Sequence, residues 1–167
     1  MREFKKILVP TDYSELSLAA IDYAVSFSQV FGARLFLLHT LDTIPVLALD
    51  ALDLTTESVI YETEKNAKND LHHFALTRIG NVSDLVEVVR RGIAEDQIVE
   101  FAKEERVDLI IMATHGRSGI AHVFMGSVAE KVVQHSPVPV LTVKPAALCL
   151  PNLSTDRTRE HSESAVR

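Results

Sequence analysis

Residues 107–114, VDLIIMAT, form an almost unbroken apolar run between the charged stretch KEER and a glycine-rich segment. A run that is apolar at successive positions, and too short for a buried helix, reads as a strand covered on both faces. Such a strand needs helices above and below its sheet. The rest of the chain supplies them. KKILVP (5–10) and ARLFLLHT (33–40) are further short apolar runs, and the segment 14–31 between them has helical spacing. That is the pattern of a βαβ unit. Its helix starts at TDYSE, where Asp12 or Ser14 can accept from free backbone N–H groups, and stops at Gly32, which suits the left-handed position after a helix. Ala20, Ala24, Phe27 and Phe31 form its expected core-facing stripe.

Beyond the second strand, residues 41–58 carry Asp42, Asp50, Asp53 and Glu57 with no Lys or Arg, and read as a surface excursion. Helical spacing returns at Ile60, Ala67, Leu71 and Phe74, and DLVEVVRRG (84–92) gives a third strand. A short helix through Ile98, Phe101 and Ala102 leads into VDLIIMAT, a helix over about 127–135 follows the glycine segment, and VPVLTVK (138–144) is a fifth strand. Five strands separated by helices imply a single-domain, three-layer α/β fold around a parallel sheet with right-handed crossovers. The length of 167 residues with 47% hydrophobic content suits one such domain, over 1–145, followed by a polar tail at 146–167 expected to be flexible or draped on the surface.

Charge narrows the function classes. Seventeen Lys and Arg against 23 Asp and Glu leave a net charge of −6, which gives no broad electrostatic case for nucleic acid or an anionic membrane surface. No apolar run reaches the length of a membrane span. The single Cys149 excludes an internal disulfide, and MREFKKILVP lacks the apolar core of a secretory leader, so a cytoplasmic setting is expected.

In open α/β sheets ligands collect beyond the carboxyl ends of the strands, where the strand order reverses. The segment MATHGRSGIAHVFMGSVAEK (112–131) leaves such an end. Gly116 and Gly119 let backbone N–H groups turn inward, Gly126 admits close approach, and Ser127 opens a helix whose first N–H groups are free, together a cup for phosphate. Ser127 and Glu130 also match the S-x-x-E capping box, so a purely structural turn with a capped helix is the competing reading.

These stretches resemble the universal stress protein family. The resemblance covers about residues 4–144 and rests on ILVPTDYS, LFLLHT, DLIIMATHG and GSVAEKVVQHSPVPVLTV at their mutual spacing. It implies an adenine nucleotide alpha hydrolase-like, Rossmann-like sheet with strand order 3-2-1-4-5, and ATP as ligand, with any Mg²⁺ held through the phosphates. The family's ATP-binding branch has G-x-x-G, nine residues, then G followed by Ser or Thr; this chain has Ala113, Thr114, His115, Gly116, nine residues, Gly126 and Ser127. Ala113 departs from the pattern, at a cost if the site needs positive φ or close approach. The resemblance implies that Gly116, Gly126, Ser127 and the Val128 amide meet the phosphates, that Met112 and Ala113 line the nucleotide, that Asp12 lies by the ribose and phosphates, that Thr40 offers backbone groups to adenine, and that Pro10 and Thr11 complete the wall. It also points to a homodimer through the last strand, 138–144, and to a regulatory role in stress response with any hydrolysis slow. A nucleotide-free dimeric interaction protein of the same fold is the alternative, and Ala113 is the feature that gives it weight.

The remaining polar residues have plain readings beside functional ones. Asp12 also suits a helix cap, His39 suits a satisfied core histidine rather than a catalyst, and His115 either touches phosphate or takes an exposed loop position. Arg117 either neutralises phosphate or is solvated. His72 and His73, adjacent on a helix, point different ways and make a poor metal pair. The chain has no G-x-x-x-x-G-K-[ST], no G-x-G-x-x-G after the first strand and no G-x-S-x-G, so P-loop, dinucleotide and hydrolase-elbow chemistries lack their residues. No set of base and charge clamp suited to fast phosphoryl transfer stands out.

Overall fold

A computed structural model describes residues 3–42, 56–80, 82–115 and 125–144. The described elements run β1 (Lys6–Thr11), α1 (Glu15–Phe31), β2 (Arg34–Leu41), α2 (Thr56–Phe74) with a π-helical turn (Ala75–Ile79), β3 (Leu85–Arg91), α3 (Ala94–Glu104), β4 (Leu109–Ala113), α4 (Ser127–His135) and β5 (Val140–Val143). They build one parallel five-stranded sheet in the order β3-β2-β1-β4-β5. The expected strand order and fold class therefore hold. Of the acidic excursion expected over 41–58, residues 43–55 lie outside the described residues, as does the tail at 146–167, while Leu41 ends β2 and Thr56–Ser58 belong to α2. Among the described residues no helix is long and apolar enough to cross a membrane.

The strand side chains sort by parity. Ile7, Val9, Leu35, Leu37, Leu109 and Ile111 face one layer with Ala20, Ile21 and Ala24 of α1 and Leu71 of α2. Leu8, Phe36, Leu38, Ile110 and Met112 face the other, with Ile98 and Phe101 of α3 and Ala129 and Val132 of α4. After β3 the chain reverses direction across the sheet. If every crossover stays right-handed, the helices must change faces at that reversal, which places α1 and α2 on one side and α3 and α4 on the other. All five residues of β4 are buried, as the unbroken apolar run requires.

The stripe of α1 is corrected. Its buried residues are Ser17, Ala20, Ile21, Ala24 and Ser28, whereas Phe27 is half-buried and Phe31 is 40% exposed. Small residues let the helix lie close to the sheet, and the buried hydroxyls donate locally, Ser28 Oγ to Val25 O at 2.8 Å and Ser17 Oγ to Ser14 O at 2.8 Å. Phe31 instead meets the edge of Phe4, with ring centroids 5.1 Å apart. Gly32 takes the left-handed position expected of it, at φ 61°. The short helix expected around Ile98–Ala102 extends over Ala94–Glu104.

Helix α3 ends in the same way without glycine. Arg106 sits at φ 53° while Val107 N–H reaches back to Ala102 O at 3.0 Å, the bond of a Schellman turn. A Cβ in this conformation is strained, so Arg106→Gly is expected to raise unfolding stability by about 1 kcal/mol in urea titrations. A loss instead would mean that the Arg106 side chain contributes more than its backbone costs.

The two sheet edges differ in chemistry. On β3, Arg90 pairs with Glu104 of α3, Arg91 Nε lies 3.5 Å from Glu64 of α2, and Glu87 is 3.0 Å from His72 Nδ1. His72 is thus engaged with a carboxylate, apart from His73. On β5 the residues are Val140, Leu141, Thr142 and Val143, so the last strand expected over 138–144 is present at the sheet edge, shorter and without charge.

Candidate nucleotide site

Strands β1 and β4 lie side by side at the centre of the sheet. From β1 the chain passes to α1 on one face, and α4, which follows β4, packs on the other. The diverging connections open a crevice at the carboxyl ends of both strands. There the structure has a cavity of about 330 Å³, a size in the range of small-molecule sites.

Pro10 and Thr11 from β1 with Asp12 just after it, Thr40 from β2, Met112 and Ala113 from β4, and Gly126, Ser127 and Val128 at the start of α4 all line this cavity. Every expected site residue that is described is therefore brought to one place; Gly116 and Arg117 lie outside the described residues. Sequence reasoning did not assign Ser17, Leu38, Ala94, Ile98, Thr114 or Ala129 to the cavity, and they line it too. Leu38 shares a face of β2 with Thr40, and Ala94 and Ile98 are one helical turn apart, but these spacings point to a cavity only once the topology is known.

The α4 end of the cavity departs from the expected capping box. Gly126, at φ −68° and ψ 152°, is the N-cap, and Ser127 is the first helical residue with no side-chain cap bond formed. Ser127 stands one position too late to cap, because the helix begins as soon as the chain is pinned: Gly126 N–H donates to Thr114 O at 2.7 Å, and the first bond along the helix runs from Glu130 N–H to Gly126 O at 2.9 Å. The N–H groups of Ser127, Val128 and Ala129 have no carbonyl within α4 to bond, and these three residues line the cavity. Gly126 is needed here for close approach rather than for φ. A Cβ on it would stand 3.2 Å from Thr114 O and 3.6 Å from His115 Cα.

Ala113 ends β4 in register with Val143 and packs in the core cluster beneath α1 and α2. Among the described residues, positive φ outside glycine occurs only at Tyr13 and Arg106. Ala113 therefore carries none of the backbone strain that a required glycine would imply. Of the two readings of His115 the exposed loop position does not hold: it is 7% exposed, lines the cavity, and its Nδ1 lies 3.0 Å from Thr114 Oγ1.

The β1–α1 turn is held from several directions. Tyr13 adopts φ 64°, and its N–H donates to Thr11 Oγ1 at 3.1 Å; that hydroxyl also lies 3.1 Å from Ser17 Oγ. His39 Nδ1 stands 2.9 Å from Thr11 O, which makes this nitrogen the donor. Its ring lies against Tyr13 with centroids 4.2 Å apart, so His39 is the satisfied histidine that its apolar strand suggested. Ser14, not Asp12, is the N-cap of α1, and Asp12 Oδ1 accepts from Ser14. Beside Ala94, Glu95 in the first turn of α3 pairs with Lys131 of α4, and that hydrogen bond holds the Glu95 carboxyl below the usual carboxylate range.

A model of the universal stress protein family matches residues 3–144, and the chain belongs to that family. Universal stress protein MJ0577 of Methanocaldococcus jannaschii is 32% identical over 154 residues, which span 84% of this chain and 95% of that one. A solved structure of MJ0577 is similar with a TM-score of 0.73 at 29% identity, covering 86% of this chain and 98% of its own. A solved universal stress protein in complex with cAMP is similar with a TM-score of 0.57 at 27% identity, covering 85% and 98%.

Proposed function

We propose that the chain is an adenine nucleotide-binding module that holds ATP in the cavity at the β1 and β4 ends and acts as a cytoplasmic regulator in stress response. The observation that carries this reading is the meeting of a strand-end crevice with the open N-terminus of α4, lined by Gly126, Ser127 and Val128. Free N–H groups and the helix dipole favour phosphate there. Gly116, Gly126, Ser127 and the Val128 amide meet the phosphates, and Arg117 neutralises their charge. Met112 and Ala113 line the nucleotide beside the apolar Leu38 and Ile98. Thr40 offers its backbone to the base, Asp12 lies by the ribose and phosphates, and Pro10 and Thr11 close the wall. The cAMP complex of a relative supports an adenine nucleotide as the ligand class.

The residues fit a bound nucleotide better than a resident metal. Asp12 is the one carboxylate among the described residues lining the cavity, and an accompanying Mg²⁺ is carried through the phosphates of the nucleotide. Asp12 alone gives fast hydrolysis no base and charge clamp together, and turnover is slow. The polar tail at 146–167 stands outside the nucleotide domain of 1–145.

The test is to purify the protein gently, denature it, and quantify released nucleotide by chromatography and mass spectrometry, then to titrate any empty protein with MgATP. Near-stoichiometric adenine nucleotide, or saturable binding of MgATP, is the expected result. An empty protein that ignores MgATP would transfer the function to protein–protein contacts.

Assembly is part of the same reading. The uncharged β5 edge pairs with its copy about a two-fold axis, which gives a homodimer. Sedimentation velocity at micromolar concentration is expected to show a dimer, and a strictly monomeric profile would refute this pairing.

A further inference from the structure

We infer that Ser14 is a positioning residue for nucleotide binding: its hydroxyl holds the Asp12 carboxylate in the orientation from which it meets the ligand. This role rests on the reading of Asp12 given above. A serine hydroxyl has one proton and two lone pairs. In Ser14 one lone pair takes the cap, with Ser17 N–H donating to Oγ at 3.2 Å. The single proton goes to Asp12 Oδ1 at 2.6 Å, within the range of charge-assisted O–H···O⁻ bonds. The Ser14 backbone N–H reaches the same oxygen at 3.1 Å, closing an Asx turn. Two donors on one oxygen fix the carboxylate before a ligand arrives, so binding does not have to order it.

Capping alone does not explain this choice of residue. Asp, Asn and Thr also cap helices, and Gly caps nearly as well. A hydroxyl lets one side chain accept from the helix and donate to a carboxylate at once, whereas Asp at this position has no proton to donate and would set a second negative charge beside Asp12. Nor does the turn itself depend on the hydroxyl. Its backbone is held by the Tyr13 N–H bond to Thr11 Oγ1 at 3.1 Å and by the Ser17 N–H and hydroxyl bonds to Ser14 O at 3.0 and 2.8 Å. Removing the hydroxyl takes away the shorter of the two Ser14 bonds that orient the Asp12 carboxylate and leaves the path of the chain in place.

The experiment compares full-length parent, Ser14→Gly, Ser14→Thr, Asp12→Ala and the Asp12→Ala/Ser14→Gly double variant by MgATP calorimetry, with thermal unfolding of each. Ser14→Gly is expected to bind about 10-fold more weakly with little change in unfolding temperature, Ser14→Thr to restore affinity, and Ser14→Gly to have almost no further effect once Asp12 is Ala. Equal weakening by Ser14→Gly in both backgrounds would show that Ser14 acts without Asp12 and overturn the role. So would parental affinity in Ser14→Gly when Asp12→Ala binds weakly. If Asp12→Ala itself binds like the parent, or if the parent fails to bind MgATP, the reading of the site falls and Ser14's role falls with it.

Discussion

Gly126→Asp is expected to weaken MgATP binding at least 100-fold, a loss of roughly 3 kcal/mol, while leaving the folded protein intact. Two effects act together. The added Cβ would stand 3.2 Å from Thr114 O, so the contact that pins the start of α4 to the end of β4 must widen by a few tenths of an ångström. The new carboxylate would then lie beside the free N–H groups of Ser127 and Val128, where it competes with phosphate for the same donors and repels it. Gly126→Ala separates these effects. It keeps the steric push without the charge and is expected to fall between parent and Asp variant in calorimetric titration. An Asp variant that binds as tightly as the parent would place the phosphates away from the α4 terminus.

Ile111→Ala tests the opposite face and is expected to cost about 3–4 kcal/mol of unfolding free energy without changing nucleotide affinity. Ile111 is fully buried at the centre of β4, paired with Leu141, in the core cluster beneath α1 and α2. The cavity opens toward the other cluster, through Leu38, Met112 and Ile98. Loss of the side chain leaves a void in a layer that has little freedom to collapse, and a domain of this kind has only about 5–15 kcal/mol in total. Val30→Ala on the outer face of α1 is the control: Val30 is 78% exposed, and a change within about 0.5 kcal/mol is expected. Urea unfolding measures both. A large loss of affinity in Ile111→Ala would mean that the two faces are mechanically joined through β4.

Why the sheet was readable from the sequence is clear from β4. Five successive buried residues leave no ambiguity of period, and a short run covered on both faces has one home in an α/β fold. The stripe of α1 was less readable, because Ser17 and Ser28 are buried by satisfying their hydroxyls within the helix, and nothing in their letters separates such serines from exposed ones. Helical spacing puts Phe31 on the same stripe as Ala20 and Ala24, yet its ring lies at the end of the helix against Phe4. At the cavity, the residues on motif-bearing strand ends were legible as a group. Ala94 and Ile98 were not, since they reach the cavity only through the change of face after β3. The expected cap at Ser127 failed by one residue, because a hydrogen bond to Thr114, distant in sequence, starts the helix at Gly126.

The unequal edges of the sheet bear on how many copies can join. Strand β3 carries Glu87, Arg90 and Arg91, each engaged with a helix on one face or the other. A strand approaching that edge would meet charged side chains already committed elsewhere, the kind of edge that resists further pairing. Strand β5 offers only Val140, Leu141, Thr142 and Val143. Among the described residues β5 is therefore the one uncharged sheet edge, and in the homodimer proposed above the two β5 edges cover each other. Under that proposal growth by strand addition ends at the pair, because the described β3 edge offers an incoming strand no matching uncharged border from which a fibre could extend.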